Sequence, residues 1–237
     1  MHLRDGPSGH ATVARLYADM VAAGALRADP AQEWIVRALD RLSEALAARS
    51  LAKKSSALGW LFARKPSGAT VPKGLYIHGG VGRGKTMLMD LFFKVVPIRA
   101  KRRAHFNGFM ADVHDRIQKQ RQARKDGTTS EDDPIPPVAR QIAAEAQLLC
   151  FDEFSVTDIA DAMILSRLFS ALFAEGVVLV ATSNIAPDDL YRDGLNRGLF
   201  LPFVDLLKRQ TDVVGLDTDT DYRMEKLSRI PVYMTPL

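Results

Sequence analysis

A single cysteine, Cys150, stands in the chain, so no disulfide can form within it and a reducing compartment is the expectation. No stretch approaches the roughly 18 consecutive apolar residues that a membrane span needs. The opening MHLRDGPSGH is polar with no apolar segment behind it, unlike a secretory leader. No repeat recurs at the periods of solenoid proteins. A large excess of either charge is also lacking. The 32 basic and 28 acidic residues leave a formal net charge of +4, too little to argue by itself for a nucleic-acid partner. These absences point to a soluble, cytoplasmic protein whose association with a membrane, if any, is peripheral. What is present is a 47% apolar chain of 237 residues, enough to bury a sizeable core.

Residues 10–50 read as two helices. The first covers about Ala11 to Ala23 and stops near Gly24; the second follows Asp29 as N-cap, with Pro30 at its first position. Trp34, Ile35, Leu39, Leu42 and Leu46 recur there at helical spacing. KKSSALGW and ARKPSGATVPKG read as connecting segments.

From Lys73 strands and helices alternate: LYIHG a strand, Lys85 to about Val95 a helix, RAKRRAHF a strand, Gly108 to about Lys125 a helix. KDGTTSEDDPIPP reads as a loop, followed by a short helix over Val138 to Ala146. LLCFD and VVLVATSN are apolar on both faces, as strands inside a parallel sheet are. Between them lies a helix from Thr157, its expected N-cap, to about Ala174; a helix near Leu199 to Lys208 and the strand TDVVGL complete the pattern. Such alternation predicts an α/β fold, a parallel sheet covered by helices. The expected division is a helical extension and linker over 1–70, an α/β core over 71–217 and a further segment over 218–237.

Gly79, Gly84, Lys85 and Thr86 fit the pattern G-x-x-x-x-G-K-[ST] between a strand and a helix. A phosphate chain needs converging donors without side-chain crowding, and glycines let backbone N–H groups curl around it at the positive end of a helix. The run Gly79, Gly80, Val81, Gly82, Arg83, Gly84, Lys85, Thr86 and Met87 is therefore the expected ATP contact. Lys85 is expected on the β- and γ-phosphates, and the Thr86 hydroxyl on Mg²⁺.

LLCFDEF supplies the usual partner: Asp152 as the second Mg²⁺ ligand, through water, and Glu153 as general base for the attacking water. In LVATSN, Asn184 is the candidate to orient that water or touch the γ-phosphate, with Ser183 as the alternative. In YRDGLNRGLFLPF, Arg197 is the candidate to reach a neighbouring protomer's site, with Arg192 as its rival.

Other features have plainer readings. His78, His105 and His114 lack metal-ligand spacing, and Cys150 reads as a packing residue. Met87, Leu88, Leu91 and Phe92 form a core stripe. Gln32 reads as a solvent-facing helix residue, with adenine contact as the alternative. RAKRRAH is a solvated strand edge, a partner surface or a phosphate-backbone contact, and the small net charge ranks the last below the others. Phe106 and Phe109 read as core, with a grip on an extended polypeptide as the alternative.

Taken together, GLYIHGGVGRGKTMLMDLFF, RRAHFNGFM, LLCFDEFSVTDIADAMIL, LVATSN and LYRDGLNRGLFLPF resemble the ZapE-type cell-division ATPases and their mitochondrial relatives, the Afg-one-like ATPases. LYADMVAAGALRADPAQEWIVRALDRL is similar to that family's opening helices. The resemblance implies an AAA+ P-loop fold with a five-stranded parallel sheet and a helical lid. It also implies ATP hydrolysis with Mg²⁺, homo-oligomers and a protein client, the division protein FtsZ in bacteria or respiratory proteins in mitochondria.

Two departures bear on this. Asn107 stands where the family more often has a histidine. Family members usually continue well past DYR into the lid, whereas the sequence given ends at Leu237, so the expectation is a core without that lid. The leading expectation is an ATPase that remodels a protein. The alternatives are a nucleotide-gated binding module without turnover and a loader ATPase acting near nucleic acid.

Overall fold

The computed structural model describes residues 11–59 and 70–216, excepting the side chains of 53–59. The expectations for RKPSG within the linker and for 218–237 lie outside the described residues. Five strands, β1 (Gly74–His78), β2 (Lys101–His105), β3 (Leu148–Asp152), β4 (Val178–Ser183) and β5 (Thr211–Gly215), form one sheet in the order β2-β3-β4-β1-β5. Every pairing is parallel, which requires a crossover between successive strands.

Alternation along the strands divides the core. Leu75, Ile77, Leu148, Cys150, Val178 and Val180 face helices α1 (Val13–Ala22), α2 (Pro30–Gly59) and α3 (Lys85–Val95). Tyr76, Leu149, Phe151, Leu179 and Ala181 face α4 (Phe106–Lys125), α5 (Ile135–Glu145), α6 (Ile159–Ala174) and α7 (Arg197–Gln210). Because both faces are covered, β3 and β4 are buried along their whole length, whereas the edge strand β2 is half-buried and polar.

The N-terminal helices share the sheet's core. The Thr12 hydroxyl caps α1, and Asp40 of α2 accepts from the Val13 and Ala14 amides at 2.7 and 3.0 Å, fixing the start of one helix against the flank of the other. Ile35, Leu39, Leu42 and Leu46 then pack toward the sheet, and Arg49 donates to the Gly176 carbonyl at 2.7 Å, joining α2 to the turn before β4.

Several boundaries differ from the sequence reading. Helix α2 runs on to Gly59, through most of the stretch read as connecting. Helix α5 begins at Ile135 inside the expected loop, because Pro136 and Pro137 lie in its first turn, where an N–H has no intrahelical partner to lose. Helix α4 begins at Phe106, two residues early. The cap of α6 is Asp158, accepting from the Ala160 amide at 2.6 Å, and not Thr157.

An aromatic cluster fills the α4–α7 side. Phe106 and Phe109, both fully buried, lie with ring centroids 4.1 Å from Phe154 and 4.5 Å from Phe151 respectively. This is the core reading of these rings and removes the polypeptide-grip alternative. Phe154 also stacks near-parallel to Phe203, so the end of β3 is packed onto α7.

Candidate nucleotide site

The C-terminal ends of β1, β3 and β4 open into a cleft of about 380 Å³, lined by residues 81–87, Asp152, Glu153 and residues 182–184. Gly79, Gly82 and Gly84 have φ of +147°, +77° and +81°, a sequence of turns that side-chain-bearing residues rarely adopt. Gly84 is the N-cap of α3 and offers no side chain to cap the helix, whose first-turn residues line the cleft. That arrangement suits an anion, and it is the fit expected for a phosphate chain.

Lys85 crosses the mouth of this loop. Its ammonium donates to the carbonyls of Gly79 and Gly80 at 2.7 and 2.8 Å and to Asn184 Oδ1 at 2.9 Å. The Ser183 hydroxyl donates instead to the Phe154 carbonyl at 2.6 Å and accepts from the Ile185 amide, so it ties strand ends together and is engaged by backbone.

Asp152 ends β3 with its side chain almost wholly buried. Oδ1 accepts from Thr86 at 3.0 Å, from Thr182 at 2.6 Å and from the Glu153 amide at 3.1 Å; Oδ2 lies 3.4 Å from Arg103 Nη2. Burial pushes the carboxyl's pKa up, but the bonds from Thr182 and Thr86, the Arg103 charge and the Glu153 amide outweigh it and hold the group below the usual carboxylate range. Arg103 is itself held by Asp90 of α3 at 2.6 Å. A charged carboxylate beside a threonine hydroxyl is an oxygen donor set suited to Mg²⁺.

Glu153 has φ +54°, a left-handed conformation that costs a non-glycine residue about 1–3 kcal/mol. The Phe154 amide, donating to the Thr182 carbonyl at 2.8 Å, holds that turn. It returns Phe154 to the core and leaves the Glu153 carboxylate exposed at the cleft, 4.0 Å from His105 Nδ1.

The structure thus brings Val81 to Met87, Asp152, Glu153 and Asn184 to one cleft, with Gly79 and Gly80 behind Lys85. It does not bring Arg197 there. That residue opens α7, with its guanidinium on the Asp188 carbonyl, while the rival Arg192 pairs with Asp189 at 3.3 Å.

Gln32 is a correction: it is buried, not solvent-facing. Its amide nitrogen donates to the Arg83 carbonyl at 2.9 Å. Thr182 and Arg103 also escaped the sequence reading. The signal for Gln32 was a polar residue on the apolar stripe of Ala31, Ile35 and Leu39; for Thr182 it was a hydroxyl at the level of Asp152 on the neighbouring strand.

Cys150 keeps its packing reading, whereas the basic run meets internal partners that the sequence reading did not name. Cys150 is buried, with its thiol pushed up to about 12 by burial. His114 pairs with Asp161 at 2.6 Å between α4 and α6. The basic run is engaged internally: Lys101 donates to the Phe93 and Val96 carbonyls, Arg102 pairs with Asp112, and Arg103 joins Asp90 to Asp152. No helix among the described residues is long and apolar enough to cross a membrane.

A glycine loop between β1 and α3, a carboxylate pair ending β3 and a polar tip on the intervening β4 define an α/β protein of the P-loop NTPase class. A sequence profile of the AFG1-like ATPases matches residues 11–237, and the chain belongs to that family. It is 46% identical over 174 residues to the cell division protein ZapE of Escherichia coli K12, covering 73% of this chain and 44% of that protein. With lactation elevated protein 1 homolog B of Danio rerio it shares 55% identity over 159 residues, 66% of this chain and 32% of the relative. An uncharacterised protein of Schizosaccharomyces pombe is 38% identical over 252 residues, 96% of this chain and 55% of that protein. The chain therefore spans between about a third and about half the length of these relatives.

Proposed function

We propose that the chain binds ATP in this cleft and hydrolyses it to remodel a protein client, within an oligomer. The observation that carries the reading is the position of Asp152, which accepts from Thr86 of the glycine loop and from Thr182 of β4 while the next residue, Glu153, is turned into the same cleft.

In this reading the loop amides and Lys85 bind the β- and γ-phosphates, Lys85 exchanging its carbonyl acceptors for phosphate oxygens. Thr86 and Asp152 hold Mg²⁺, which when bound neutralises charge developing on the phosphates. Glu153 takes a proton from the attacking water, and Asn184, beside Lys85, orients that water or the γ-phosphate. Arg197, which is not among the residues lining its own cleft, acts in a neighbouring protomer's site. The client is proposed to be a division protein, as the similarity to a cell division protein suggests, and by the family resemblance one of the FtsZ kind.

The test is ATP turnover by the wild type and by Glu153→Gln. The expected result is turnover in the wild type and a fall of about 100-fold or more in the variant with ATP still bound. ATP binding without turnover at any protein concentration would instead make the chain a nucleotide-gated binding module.

A further inference from the structure

Gln32 is 7% exposed on a helix face otherwise made of Ala31, Ile35, Val36 and Leu39. A primary amide buried in such a place is costly unless each end is hydrogen-bonded. Both ends are. The Asp29 amide donates to the Tyr17 hydroxyl at 3.1 Å, the hydroxyl donates to Gln32 Oε1 at 3.1 Å, and Gln32 Nε2 donates to the Arg83 carbonyl at 2.9 Å. The amide's orientation is fixed by these partners, because a carbonyl can only accept and the hydroxyl's own proton is free to donate once it accepts from Asp29.

The chain of bonds ends on the peptide between Arg83 and Gly84. A trans peptide is planar, so its C=O and N–H point in opposite directions. Holding the Arg83 carbonyl toward α2 therefore aims the Gly84 N–H the other way, and Gly84 lines the cleft. Gln32 Nε2 also lies 2.8 Å from the position a Cβ on Gly84 would take, so the space a side chain would need is already filled. The Arg83 side chain is gripped separately: Nε donates to the Leu216 carbonyl at 3.1 Å and Nη2 lies 3.7 Å from Asp29.

We propose that Gln32 is a positioning residue for the phosphate loop, through which the N-terminal helices preset the Arg83–Gly84 peptide for nucleotide. The proposal rests on the reading of residues 79–86 as a nucleotide-phosphate loop. In this arrangement α1 and α2 are part of the nucleotide site, although neither helix touches the cleft.

The test is Gln32→Glu, which keeps the shape and the acceptor for Tyr17 but replaces the donor facing the Arg83 carbonyl with a second acceptor. In the nucleotide-free protein, hydrogen exchange is expected to quicken in residues 79–87 and stay as in the wild type in β4 and α6. ATP affinity is expected to fall about tenfold, the equivalent of one hydrogen bond, with turnover at saturating ATP little changed. Tyr17→Phe, a milder change that serves if Gln32→Glu does not fold, is expected to weaken ATP binding about threefold and to add little on top of Gln32→Glu.

Unaltered exchange in 79–87, or an increase spread evenly over the chain, overturns the proposal. The exchange measurement needs neither nucleotide nor turnover, so a protein that binds ATP without hydrolysing it would sink the hydrolysis reading and leave this one standing.

Discussion

Lys85 Nζ and Asn184 Oδ1 lie 2.9 Å apart, joining the glycine loop after β1 to the tip of β4 across the mouth of the cleft. Asn184 is exposed at the cleft, and its side-chain oxygen accepts from the ammonium group that is to meet phosphate. Asn184→Ala is therefore expected to lower turnover about 100-fold, the loss seen when a single preorganised polar group is removed from a reacting centre. Nucleotide affinity, set mainly by the loop amides and Lys85, should change only a few-fold. Steady-state ATPase rates beside titration with a fluorescent ATP analogue separate the two; equal losses in both would move Asn184 from the chemical step to binding.

Asp152 carries a pH signature. Its folded pKa is depressed, so the stability contributed by its charged form is present above the unfolded value of about 3.9 and is lost as pH falls through the folded value. The melting-temperature difference between the wild type and Asp152→Asn should therefore persist from neutral pH down to about pH 4 and close below it. Thr182→Val, which removes the 2.6 Å bond, should raise the Asp152 pKa and weaken the response to Mg²⁺ by about tenfold or more, since a hydrogen bond to a charged group is worth about 1.5–3 kcal/mol. An unchanged carboxyl titration followed by NMR would remove Thr182 from the site.

Phe154 is the pivot between the site and the core: fully buried, stacked on Phe203, and hydrogen-bonded through its backbone to Thr182 and Ser183. Phe154→Ala should cost about 3–5 kcal/mol in urea unfolding. A cost under about 1 kcal/mol would mean that the cavity collapses and that the ring is not what holds β3 against α7.

Arg197 can be examined by mixing. Arg197→Ala protomers combined with Lys85→Ala protomers should recover part of the activity that neither has alone, because one supplies an intact loop and the other an intact arginine. Activity absent at every mixing ratio, or full activity of Arg197→Ala by itself, would exclude action across an interface.

Much of this architecture was legible in the sequence because it rests on local pattern. LLCFD and VLVATS are apolar on both faces, as interior strands are, and the spacing of Gly79, Gly84, Lys85 and Thr86 between a strand and a helix marks a candidate phosphate loop from local pattern. What escaped depends on contacts between distant segments. Gln32 meets its partner 51 residues away, Arg103 meets Asp152 49 residues away, and Thr182 meets Asp152 30 residues away. Local pattern also misled in places: Pro136 and Pro137 signal a loop when counted, but begin a helix where they stand. Thr157 is the expected cap of α6, and the backbone geometry gives that place to its neighbour Asp158.

The alignment of β4 has a consequence of its own. Val178, Leu179, Val180 and Ala181 are all apolar, and the strand is buried on both sides, so sliding it by one residue would exchange one greasy face for another. Hydrophobicity therefore cannot say where the strand should stop. The Thr182 bond to Asp152 and the Ser183 bond to the Phe154 carbonyl can, since a slip breaks both at once and takes from a buried carboxylate its shortest hydrogen bond. The polar tip of β4 is thus the index mark of the sheet, and the Thr182 hydroxyl that sets Asp152 in the cleft also helps select the correct threading of the middle strand.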